Sequence, residues 1–139
     1  MVQLIIGEKG KGKKKELLDK VNKEIQDITG NVVYLDKNTR HMFELNNKIR
    51  LIDCSEYLLD SPDAFVGFVS GIISQDHDLE QMYLDSFLKI AKLEDSDIKE
   101  TIDKLDVIGN KYGVTFVLSV SLDEHELPEN ARSKVIISL

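Results

Sequence analysis

Tryptophan is absent, proline occurs twice, and Cys54 is the only cysteine. One cysteine excludes an internal disulfide framework and fits a reducing, cytoplasmic setting. Few prolines leave room for long regular elements. No apolar run is long enough for a membrane helix: the most apolar stretch, Ala64 to Ile73, has ten residues, against about 20 for a span. It reads as a buried helix, and no membrane role is expected. The first residues enter an apolar run without a preceding basic region, so no secretory leader is expected. Arginine is scarce, with only Arg40, Arg50 and Arg132, so there is no arginine-rich lid of the kind a kinase would use. The net charge of −7 argues against nucleic-acid binding driven by charge alone.

Against that acidic background, Lys9, Lys11, Lys13, Lys14, Lys15 and Lys20 crowd near the start. A local anion site and a solvated lysine-rich loop both fit this asymmetry. The spacing narrows the choice. Gly7 and Gly12 with Lys13 satisfy G-x-x-x-x-G-K, the phosphate-cradling loop, but Lys14 stands where the motif asks for Ser or Thr. Val2 to Ile6 reads as a buried strand and Leu17, Leu18, Val21, Ile25 and Ile28 as one helical stripe. Thr29-Gly30 is expected to end that helix, and Asn31 to Asp36 to form the next strand. Together these make a βαβ unit.

Further along, two readings fit the segment before Asn46-Asn47-Lys48: the first arm of a hairpin whose second arm is strand 49–53, or a helical turn. Ser61-Pro62-Asp63 predicts a helix start. The helix that follows is apolar on most sides, and Gly67 and Gly71 are expected to admit a close neighbour. Leu79 to Ile90 fits either an amphipathic helix or a strand and turn. Asp97 and Glu100 have capping-box spacing ahead of a helix that Gly113 stops. Val114 to Val120 and Val135 to Ile137 read as strands. Alternating strands and helices over 1–139 predict a single α/β domain with a mainly parallel sheet.

The loop at 7–13 between strand and helix, Leu84-Asp85-Ser86, and Tyr112 to Ser121 together resemble a RecA-like P-loop ATPase core, and Lys134 to Leu139 resembles its closing strand. The chain also resembles small Firmicute-type proteins labelled twitching-motility PilT, although the shared loop does not imply a pilus motor. The resemblance implies a three-layer P-loop NTPase fold and makes 82–84 a strand. It implies a nucleotide, ATP above all, held by Gly7, Glu8, Lys9, Gly10, Lys11, Gly12, Lys13 and Lys14. Asp85 would be the Walker B metal ligand, with Asp53 the rival by pattern. Asp36 would be the residue that orients the attacking water, with Glu44 and Glu56 as alternatives. Lys14 has no acceptor atom for Mg²⁺; it would face solvent or meet a phosphate oxygen, and the usual Mg²⁺ shell is incomplete. Cores of this kind often assemble so that a neighbour completes the site, which makes Arg40 or Arg132 a trans group in a homo-oligomer.

The expected function is nucleotide binding with weak or absent hydrolysis. The alternative is a non-enzymatic interaction or scaffold domain that keeps the fold without the nucleotide. Ser119 and Ser121 read as ordinary strand-end polarity, Asp76-His77-Asp78 as a solvated turn, and Cys54 as a buried apolar residue.

Overall fold

The computed structural model describes residues 1–139. Six strands form one all-parallel sheet: β1 (Val2–Ile6), β2 (Asn31–Asp36), β3 (Arg50–Asp53), β4 (Leu79–Leu84), β5 (Thr115–Val120) and β6 (Val135–Ser138), in the order β3-β2-β4-β5-β1-β6. The helices are α1 (Lys13–Glu24), α2 (Pro62–Ser74), α3 (Phe87–Ile90), α4 (Lys99–Tyr112) and α5 (Glu129–Arg132).

Alternation along the central strands sorts their side chains onto two faces. Ile5, Val32, Tyr34, Tyr83 and Val117 meet Leu17, Leu18 and Val21 of α1 and Ile25 at its end. Leu4, Ile6, Val33, Leu35, Met82, Leu84, Phe116 and Leu118 meet Phe65, Val69 and Ile73 of α2 and Ile102 and Leu105 of α4. The result is three layers, with α1 on one side and α2 and α4 on the other. Burial on both faces accounts for the near-continuous apolar runs of β1 and β5.

Register positions the polar residues. Leu35 pairs with Leu84 and Leu84 with Leu118, so one step further Asp36, Asp85 and Ser119 fall in one row at the carboxyl ends of β2, β4 and β5. Asp53 pairs with Asp36 and extends the row to the edge. The chain leaves β2 toward β3 and leaves its neighbour β4 toward β5, in opposite directions along the sheet. Outgoing loops that part in this way open a crevice at the carboxyl ends of the strands.

Several local expectations are corrected, and two open readings are decided, in favour of the helical turn before β3 and of the strand within 79–90. The segment before β3 is no hairpin arm: Met42–Glu44 is a 3₁₀ turn, and β3 runs parallel to β2. Helix α1 stops at Glu24 with Ile25 as its cap, short of Thr29-Gly30. Gly30 instead lets two strand ends approach, since a Cβ there would lie 2.2 Å from the Asp78 carbonyl oxygen. Helix α2 starts as predicted, with Ser61 Oγ accepting the Ala64 N–H at 3.0 Å. It buries one face only, however, leaving Gly67, Ser70 and Gly71 exposed, and nothing packs closely on either glycine. Asp97 accepts the Lys99 N–H at 2.9 Å, whereas Glu100 pairs with Lys104, so no capping box forms there. Leu79 to Leu84 is a strand, and only Phe87–Ile90 of the ambiguous stretch is helical.

Candidate functional site

The loop from Gly7 to Gly12 is shaped by glycines that no other residue replaces without strain. Gly10 (φ 84°) and Gly12 (φ 94°) are left-handed, and Gly12 leads directly into α1. No side chain caps α1, in contrast to α2. The backbone N–H groups of Gly10, Gly12, Lys13, Lys14 and Lys15 donate to no protein acceptor. These free donors sit at the positive end of the helix dipole, an arrangement that favours an anion. The loop borders a cleft of about 820 Å³, lined also by Asp85, Ser86, Ser119 and Ser121.

Lys13 is 9% exposed. Its ammonium donates to the Glu8 carbonyl oxygen at 3.0 Å, within the loop itself. Burial lowers its pKa, an effect that the Asp85 charge opposes and Lys9 reinforces. Lys14 turns into the protein. Its ammonium donates to Asp36 Oδ2 at 2.9 Å and to Asp85 Oδ2. Both carboxylates are almost wholly buried, at 1% and 2% exposure. Burial pulls the Lys14 pKa down, but the bonds to Asp85 and Asp36 outweigh it, and the net shift is upward. Asp36 is held above the usual carboxylate range by burial and by the Asp85 charge, against the pull of Lys14.

The rest of the cluster follows from the row. Asp85 Oδ2 also accepts the Tyr34 hydroxyl at 2.5 Å, and Asp85 Oδ1 accepts the Ser119 hydroxyl at 3.2 Å. Ser119 Oγ in turn accepts the Ser86 N–H at 2.9 Å, and Ser86 adopts a left-handed φ of 55°. Asp36 Oδ1 accepts the Lys37 N–H at 2.7 Å. Burial, then the Asp85 charge, pushes the Tyr34 phenol far up, so it stays a donor.

The residues expected from sequence therefore divide. Asp36 and Asp85 are brought together with Lys13, Lys14 and the glycine loop. Asp53 is not, because its carboxylate accepts the Ser55 N–H and hydroxyl, at 2.9 and 2.6 Å. Glu44 contacts His41 and Glu56 is exposed, so neither joins the cluster. Ser119, read as ordinary polarity, is buried and bonded to Asp85, and Tyr34 was not anticipated. Both were signalled by alternation, since Tyr34 lies two residues before Asp36 on the same strand face. Cys54 is buried as expected, its thiol pushed up to about 12 by burial and by Asp53.

The resemblance implies a magnesium ion, which needs oxygen ligands and room for water. The residues present do not fit it. The Lys14 ammonium already holds one oxygen of each carboxylate, and position 14 offers no hydroxyl. No protein-family model matches the chain, and no curated protein matches it. No helix is long and apolar enough to cross a membrane.

Proposed function

We propose that this chain is a RecA-like P-loop domain that binds a nucleotide, ATP above all, through its phosphates, with weak or absent hydrolysis. The observation that carries this reading is the set of free loop N–H groups leading into an uncapped helix, with Lys13 beside them. Bound phosphate oxygens would accept those N–H groups, and Lys13 would exchange the Glu8 carbonyl for the phosphate. The cleft has the size of a small-molecule site. Its lining carries Lys9, Lys13, Lys37 and Lys89 without an ion-pair partner, along with the carboxylates of Glu94, Asp95, Asp97 and Glu126. Weak hydrolysis follows from the same cluster. Asp36, the residue suggested for orienting water, has one oxygen on Lys14 and the other on the Lys37 N–H.

Thermal melting with saturating ATP or ADP tests the reading. Native protein is stabilised, and Lys13→Ala loses the shift. An unshifted melt of the native chain overturns it. The 92% exposure of Phe43 and the 97% exposure of Leu58 favour a second reading, an interaction domain with an empty loop. That reading predicts no nucleotide response in either protein.

A further inference from the structure

Each oxygen of the Asp36–Asp85 pair has a donor. Asp85 Oδ2 takes Lys14 and Tyr34, Asp85 Oδ1 takes Ser119, Asp36 Oδ2 takes Lys14, and Asp36 Oδ1 takes the Lys37 N–H. Two buried carboxylates side by side need a positive charge between them. Here the chain supplies it covalently, from the first turn of the helix that follows the phosphate loop. Lys13 and Lys14 together carry the two positive charges that a divalent ion would bring. Lys14 is anchored at its far end by two acids. Lys13 is held only by a backbone carbonyl and is free to turn to an anion.

We propose that the Lys14 ammonium is a resident cation that fills the position between Asp36 and Asp85 and excludes a divalent metal, so that the loop holds phosphate without one. The second clause rests on the nucleotide reading, while the first stands without it. A divalent ion reaching the carboxylates has to displace an ammonium tethered by its own backbone. Replacing Lys14 by threonine removes that ammonium, leaves the two acids facing each other, and places a hydroxyl beside them. The site then becomes one for a hard divalent cation.

The test uses Mn²⁺ as probe, followed by electron paramagnetic resonance on the full chain without nucleotide. Native protein binds no Mn²⁺ at this site. Lys14→Thr binds one equivalent, and Lys14→Thr combined with Asp85→Asn loses it. Calorimetry with ATP then compares EDTA with Mg²⁺: native affinity is unchanged, whereas Lys14→Thr gains about tenfold or more with the metal. Mn²⁺ binding by native protein that Asp85→Asn abolishes overturns the assignment. So does a folded Lys14→Thr that takes up no Mn²⁺, or a native protein that needs Mg²⁺ for ATP. Native protein with ATP in EDTA and in Mg²⁺ needs no variant, and the native Mn²⁺ arm needs only Asp85→Asn, so refutation does not depend on Lys14→Thr folding. Native protein that binds neither ATP nor Mn²⁺, beside a Lys14→Thr variant that binds Mn²⁺, removes the nucleotide reading and leaves the cation assignment standing.

Discussion

Lys14→Met keeps the length of the side chain and removes its charge. It leaves Asp36 and Asp85, at 1% and 2% exposure, with no cation between them. Removing one member of a buried ion pair costs about 3–5 kcal/mol, because the remaining charge is uncompensated. The Lys14 side chain is 28% exposed, so the low end, about 3 kcal/mol, applies. With a urea slope of about 1.5 kcal/mol per molar, the midpoint falls by about 2 M. Melting falls by roughly 10 °C. Asp36→Asn in the same background restores part of the loss, and the double-mutant cycle returns a coupling of about 1–3 kcal/mol. A midpoint shift worth less than about 0.5 kcal/mol would refute the reasoning, since that is the scale of an exposed pair.

Three further outcomes follow from the same geometry. Lys14 and Tyr34 both hold their protons more tightly folded than unfolded, so their contribution is full below the ordinary values of 10.5 and 10.0 and is lost as pH rises through the elevated folded ones. Melting temperature therefore falls steeply above about pH 10, and Lys14→Met flattens that fall. Tyr34→Phe removes a donor from the buried Asp85 carboxylate and lowers stability by about 2 kcal/mol in urea unfolding. Gly30→Ala drives a Cβ to 2.2 Å from the Asp78 carbonyl oxygen and costs about 1–3 kcal/mol, whereas Gly67→Ala, on the open face of α2, stabilises by about 0.5–1 kcal/mol.

The central strands were legible because burial on both faces turns them into apolar runs that periodicity reads directly: β1 and β2 lie where Val2–Ile6 and Asn31–Asp36 predict, and β5 starts one residue inside the predicted Val114 to Val120. The glycine loop was legible because its glycines answer to backbone conformation, which is local. What escaped depends on contacts distant in sequence. Gly30 looks like a helix terminator from its neighbours, yet the carbonyl that requires a glycine there is Asp78. Met42–Glu44 beside β3 suits a hairpin as well as a turn, and the parallel pairing with β2 decides against the hairpin. Asp85 was found through resemblance, because 79–90 has no distinctive period of its own. The role of Lys14 was out of reach for the same reason: its partners are 22 and 71 residues away, and only strand register places both in front of it.

The measurement that bears most directly on the account is calorimetric titration of ATP in EDTA against the native chain and Lys13→Ala. The account predicts saturable binding to native protein without metal, weakened by about tenfold or more in Lys13→Ala, since a charge-assisted bond to phosphate is worth about 1.5–3 kcal/mol. No heat with native protein, or equal affinity in the two proteins, would contradict it.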